Sequence, residues 1–84
     1  MTMELYEIAK YQKVICGIET EYYFFKKNSE CYRIVICREN QKTHEDFTGD
    51  FFETASLFKL IVDTDTLPEN LSEIASDIKN SFCV

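Results

Sequence analysis

The sequence predicts an α+β fold, in which an antiparallel β-meander of three to four strands is followed by two C-terminal helices packed on one face. Two observations support this fold class. The first half of the chain is rich in β-branched and aromatic residues and is interrupted by short polar turns. The second half contains two apolar patterns of helical period. With 84 residues, the chain is expected to form a single small domain.

The segment 5–16 is the first predicted strand, with a helix as the alternative. Glu7 lies between apolar neighbours, as in a strand, whereas the separation of Ile8 and Tyr11 also fits a helix. Gly17 follows directly and, with Ile18 and Glu19, indicates a bend or turn, because glycine tolerates backbone conformations that other residues avoid.

Residues 21–26 and 31–38 predict an antiparallel hairpin. The first of these segments contains four consecutive aromatic residues, and the second contains a β-branched run. A second turn follows at residues 38–41, in which Asn40 is able to adopt a left-handed conformation. Residues 42–47 then form a largely polar strand, which suits the edge of a sheet.

Two helix starts are recognisable in the second half. Asp50 as N-cap would place Glu53 at the third helical position, as in a capping box; Thr48 is the alternative N-cap. Pro68 suits the first turn of the second helix, because its missing N–H needs no partner there. The first helix is expected to bury Phe51, Ala55, Leu57, Phe58, Ile61 and Val62. The apolar stripe of the second contains Leu71, Ile74, Ala75, Ile78 and Phe82.

Two motifs in the C-terminal half resemble the uncharacterised bacterial DUF6514 family. Glu45-Asp46-Phe47-Thr48-Gly49-Asp50 is similar to that family's step from the last strand to the first helix. The pattern Leu67-Pro68-x-x-Leu71-x-x-Ile74-x-x-Asp77-Ile78 is similar to its C-terminal helix. The resemblance supports the predicted fold over residues 45–82. It implies no activity, because the family has none assigned.

The charge distribution argues against several classes of partner. The formal net charge is −6, and residues 50–84 contribute −5 of it. Direct nucleic-acid binding requires a basic surface, so we expect none. No apolar run approaches the roughly 20 residues of a membrane span, so we expect no membrane association. The acidic start, Met1–Glu4, does not resemble a signal peptide, so we expect a cytoplasmic location.

The residues capable of catalysis or metal binding are few and dispersed. The four cysteines form no close pair of the C-x-x-C type, so we expect free thiols rather than a zinc site. The single histidine, His44, lies on the predicted edge strand and could form a Cys-His nucleophile with Cys37 or Cys31, but the sequence does not bring them together and an exposed edge histidine is the simpler interpretation. Asp63, Asp65 and Glu69 lack the glycine and the terminal glutamate of a calcium-binding EF-hand loop. We therefore predict no enzymatic activity, metal or cofactor.

The predicted hairpin has apolar residues on both faces, although two helices can cover only one. An antiparallel sheet with one solvated face normally alternates apolar with polar residues. The uncovered face is therefore predicted to bind a protein partner or a second copy of the chain. The candidate interaction residues are Tyr22, Tyr23, Phe24, Phe25, Arg33 and Val35. The register of the strands decides which alternate set of them lies on that face.

Two functional hypotheses follow. The first is a non-enzymatic protein-interaction module that acts through self-association or by binding another protein. The alternative is a small acidic inhibitor or nucleic-acid mimic, whose C-terminal carboxylates would bind a basic protein surface.

Overall fold

The structure, a computed structural model, describes the backbone of residues 5–82 and the side chains of residues 5–77. Its elements are β1 (Tyr6–Ile15), β2 (Ile18–Asn28), β3 (Cys31–Arg38), β4 (Gln41–Thr48), α1 (Phe51–Asp63) and α2 (Pro68–Phe82). The strands form one antiparallel sheet in the order β1-β2-β3-β4. The predicted α+β fold is confirmed, with four strands, and the segment 5–16 is a strand rather than a helix.

Both helices lie on the same side of the sheet. α1 lies over β2 and β3, and α2 lies over β3 and β4. The core between the two layers contains Tyr22, Phe24, Tyr32, Ile34, Ile36, Phe47, Phe58, Ile61, Val62, Leu71 and Ala75. The strand residues of this core occupy alternate positions along β2 and β3, so the positions between them face the opposite side of the sheet.

The hairpin turns set the register of the sheet. Ile15 pairs with Ile18, so a two-residue loop of Cys16 and Gly17 joins β1 to β2, and both loop residues have positive φ. The loop between β3 and β4 also has two residues, but its positive φ lies at Glu39 and not at Asn40, the turn residue better suited to that conformation. The reason is geometric: the common two-residue hairpin turns require a positive φ at their first position, whichever residue stands there.

The helix starts follow local signals. The Oδ1 atom of Asp50 accepts a hydrogen bond of 2.8 Å from the backbone N–H of Glu53, so Asp50 is the N-cap of α1. Pro68 begins α2, as predicted. The prediction that Phe51 is buried was wrong, because 43% of this residue is exposed. It lies in the first turn of α1, above the part of the sheet that neither helix fully covers.

Of the predicted α2 stripe, Leu71 and Ala75 are buried and Ile74 is half-buried. The side chains of Ile78 and Phe82 lie outside the described residues.

Two side chains of the sheet bind the segment that joins the helices. The hydroxyl of Tyr22 donates a buried hydrogen bond of 2.7 Å to the carbonyl of Thr66. The ammonium group of Lys13 donates to the carbonyl of Val62 at 2.7 Å and to the carboxylate of Asp65 at 2.5 Å. A cation at this position also offsets the partial negative charge at the end of α1. These bonds hold the helical layer on one face of the sheet.

Candidate interaction surface

The sheet surface turned away from the helices is here called the open face. The strand register arranges its twelve central residues as three rows of four. The first row contains Gln12, Glu21, Cys37 and Lys42. The second row contains Lys10, Tyr23, Val35 and His44. The third row contains Glu7, Phe25, Arg33 and Asp46.

The centre of the open face is apolar. The rings of Tyr23 and Phe25 stack with centroids 5.9 Å apart and planes 11° from parallel. Val35 is only 5% exposed, because its neighbours on the adjacent strands surround it. A shallow cavity of about 380 Å³ lies over these side chains, and Leu5 contributes to its wall. Large apolar side chains therefore form the middle of a surface that neither helix covers.

An ion-pair cluster borders this centre on the side of β4. The guanidinium of Arg33 donates two hydrogen bonds to the carboxylate of Asp46, at 2.7 and 3.2 Å. The ammonium group of Lys27 donates a third, at 2.8 Å. The hydrogen bonds from Arg33 and then Lys27 outweigh partial desolvation and lower the pKa of Asp46 to about 2. Such a bidentate pair fixes the orientation of both side chains.

Replacing Asp46 with asparagine is expected to remove part of the acid sensitivity of the fold. Because the folded pKa of Asp46 lies below its ordinary value of 3.8, the carboxylate stabilises the fold above about pH 4. That contribution is lost as the pH falls towards 2. We expect this contribution to the free energy of unfolding to be about 1 kcal/mol, because the side chain is partly exposed and its charge is screened by solvent. Urea unfolding at pH 7, 4 and 2 measures it.

In the Asp46→Asn series, the stability difference from the wild type should shrink between pH 4 and pH 2. Glu73→Gln is the matched control, because it removes one carboxylate at an exposed position of α2. A difference that stays constant over this range would contradict the assigned role of the pair.

A second polar cluster borders the centre on the side of β1. The hydroxyl of Tyr23 donates a hydrogen bond of 2.5 Å to the carboxylate of Glu21. The ammonium group of Lys10 lies 3.5 Å from that carboxylate and 5.3 Å from the centroid of the Tyr23 ring. The hydrogen bond lowers the pKa of Glu21 and raises that of Tyr23. The charges on both sides of the apolar centre are thus already paired within the chain.

The structure divides the six predicted interaction residues between the two faces. Tyr22 and Phe24 are 0% and 1% exposed in the core beneath the helices, so they do not lie on the open face. Tyr23, Phe25, Arg33 and Val35 do lie on the open face. The register of the strands determines which of the six residues lie on each face, and the sequence alone had left this open.

Cys37 and His44 both line the cavity of the open face. Burial raises the pKa of the Cys37 thiol above its ordinary value. A raised pKa disfavours the thiolate, which is the nucleophilic form of cysteine. The arrangement therefore gives little support to a Cys-His nucleophile at this place. Within the described part of the chain, no three His, Cys, Asp or Glu side chains are grouped so as to hold a metal ion.

A second apolar area, which the sequence patterns did not reveal, lies on the helix side beside β1. Tyr11, Phe24, Phe51, Phe58 and Val62 are among the residues that line a groove of about 270 Å³ between β1 and α1. The groove exists because α1 lies over β2 and β3 and leaves the helix side of β1 largely uncovered. Only the placement of the helix, a tertiary property, could have revealed it.

The comparisons with known proteins return no relatives. No protein-family model matches the chain, and no curated protein or solved structure matches it either. The similarity of residues 45–82 to the DUF6514 family therefore stays a prediction. None of the helices formed by the described residues combines the length and apolarity needed to cross a bilayer. The described residues form a small α+β domain in which the helices leave one apolar-centred sheet face uncovered.

Proposed function

We propose that the chain is a non-enzymatic protein-interaction module that acts through its open face, by self-association or by binding another protein. The observation that supports this proposal is an apolar centre on a face that neither helix covers in the described part of the chain. The half-exposed Tyr23 and Phe25 form this centre around Val35, which is nearly buried. Protein interfaces commonly combine such a centre with a polar rim. Here the rim is supplied by charged residues of all four strands.

The sequence of the strands supports the same proposal. A sheet face that only meets water gains nothing from large aromatic side chains, and polar residues would suit it better. Tyr23 and Phe25 retain partial exposure in the folded chain. Covering them would remove this remaining apolar surface from water, which is the main favourable term in protein association.

The alternative, an acidic inhibitor or nucleic-acid mimic, has weaker support. Glu73 and Asp77 are exposed on one side of α2 and would offer two carboxylates to a basic surface. Asp65, a third carboxylate of the C-terminal half, binds Lys13 and so has a structural role. An exposed acidic helix face also occurs in many proteins simply to maintain solubility.

We also propose a cytoplasmic location for this module. Cys16, Cys31 and Cys37 are free thiols in the folded chain. Free thiols persist in reducing compartments, whereas secreted domains of this size commonly carry disulfides.

The substitution Phe25→Glu tests the proposed function. The new carboxylate would lie beside Arg33, its cross-strand partner, so the variant is expected to fold. In an interface, this carboxylate would be buried while sharing Arg33 with Asp46, so its charge would be only partly paired. Burying such a charge is costly, and association should therefore weaken at least about tenfold. Phe52→Glu is the matched control, because Phe52 is 79% exposed on α1. Circular dichroism verifies that both variants retain the fold.

Two associations are measured for each variant: self-association of the purified chain, and capture of proteins from the native host by the immobilised chain. We expect the wild type to show at least one, Phe25→Glu to lose it and Phe52→Glu to retain it. If Phe25→Glu retains every association of the wild type, or the wild type shows none, the proposal is wrong.

A further inference from the structure

We infer that the occupant of the open face is a second copy of this chain, packed sheet against sheet in a symmetric dimer. This inference rests on the proposed function and specifies its partner. Three properties of the described residues support it: the charge balance of the face, its area, and the chemistry of the sheet edges.

The open face is close to electrical balance in a chain that is strongly acidic. Its twelve central residues include three basic and three acidic side chains, which are Lys10, Arg33, Lys42, Glu7, Glu21 and Asp46. Lys27, which binds Asp46 from outside these rows, adds one positive charge at the border. The whole chain, in contrast, carries −6. A symmetric interface places the same surface of both copies together, so any net charge on it would repel itself. The open face avoids this cost, whereas the acidic helix side does not.

The charge balance also favours a second copy over a strongly charged partner. Most of the rim charges already have partners within the chain, namely Lys10 with Glu21, and Arg33 with Asp46. A strongly basic or acidic protein would therefore find only a weak net field on this face to attract it. A second copy of the same face does not need such a field, because its own charges are also close to balance.

The area of the face suits a weak dimer. β3 and β4 each have eight residues. Four strands about 4.8 Å apart and about 27 Å long cover about 500 Å² in projection. Two such faces bury about 1,000 Å² in total, which is near the lower limit for a specific interface. We therefore expect a dissociation constant in the micromolar range and a dimer that dissociates on dilution.

The sheet edges are unsuited to association by addition of further strands. β1 carries Lys10 and Lys13 and has a register irregularity between Glu7 and Ala9. The outer strand β4 is polar over most of its length. Charged residues and bulges on outer strands prevent the addition of further strands. The dimer is therefore expected to form by stacking of sheets and not by extension of one sheet.

The native cysteines provide a direct test. Cys37 is half-buried on the open face, whereas Cys16 is exposed in the β1–β2 turn, outside the twelve central residues. The chain is alkylated with iodoacetamide at pH 8 over a series of protein concentrations, and peptide mass spectrometry follows each cysteine separately. Dilution from above to below the dissociation constant should increase the alkylation rate of Cys37 about fivefold and leave that of Cys16 unchanged.

Phe25→Glu completes the test. In this variant, Cys37 should react at the fast, dilute-limit rate at every concentration, whereas Phe52→Glu should behave like the wild type. A Cys37 rate that is independent of concentration overturns the inference. If the wild type is then still captured with a host protein and Phe25→Glu is not, the proposed function stands with a different partner. If a dimer forms while Cys37 remains reactive, the two copies meet through another surface.

Discussion

Replacing Phe24 with alanine is expected to lower the free energy of unfolding by about 3–5 kcal/mol, the usual cost of removing a buried phenylalanine side chain. Phe24 is 1% exposed and stacks on the rings of Phe58 and Tyr32, with centroid distances of 5.1 and 5.4 Å. It therefore lies at the junction of β2, β3 and α1. The substitution would leave a cavity at this junction and remove the aromatic contacts together.

This loss is large relative to the whole stability of a domain of 84 residues, because folded domains are stable by only about 5–15 kcal/mol. Urea denaturation followed by circular dichroism measures it. Phe52→Ala is the control and should change stability by less than about 0.5 kcal/mol, since exposed positions tolerate truncation. A Phe24→Ala variant as stable as that control would contradict the placement of Phe24 in the core between the sheet and the helices.

Replacing Tyr22 with phenylalanine is expected to have the second largest effect and to alter the alkaline stability of the fold. The Tyr22 hydroxyl donates to the Thr66 carbonyl, so its removal leaves a buried acceptor unpaired and should cost about 1–3 kcal/mol at pH 7. Burial, with a smaller contribution from Asp65, raises the pKa of Tyr22 from 10.0 to about 12. Between these two pH values the unfolded chain loses this proton while the folded chain keeps it.

A raised folded pKa therefore stabilises the fold fully below pH 10, and this stabilisation is lost as the pH rises towards 12. The shift corresponds to up to about 2.7 kcal/mol. The advantage of the wild type over Tyr22→Phe should consequently disappear between pH 10 and 12 in urea unfolding. Tyr11→Phe, at a residue that is 55% exposed, should show no such convergence. Parallel curves for the wild type and Tyr22→Phe would refute the role of this hydroxyl.

Local signals in the sequence were sufficient for most of the fold. The start of α2 at Pro68 depends on residues within one helical turn, so the sequence predicts it directly. The start of α1 was predicted with two possible N-caps, and the structure selects Asp50 over Thr48. Gly17 likewise marks the first hairpin turn, but the turn ends there, because Ile18 and Glu19 already belong to β2. The position of positive φ at Glu39 was missed because loop length, which the strand pairing sets, overrides the preference of Asn40.

The candidate surface was less predictable, because it depends on which side the helices occupy. Tyr22 and Tyr23 are adjacent in sequence and similar in chemistry, yet one lies in the core and the other on the open face. A change of register by one residue would exchange them. The bonds from Lys13 to the end of α1 also join residues about 50 positions apart, which no local pattern reveals.

The central claim is that the open face is an association surface, and light scattering coupled to size-exclusion chromatography tests it most directly. The measurement is made in reductant, from low to high micromolar protein, so that no disulfide forms between chains. We expect a mass that rises with concentration from 9.9 kDa towards twice that value, and a Phe25→Glu variant that remains at the mass of one chain. A wild type and a Phe25→Glu variant with the same mass at every concentration would contradict self-association through this face.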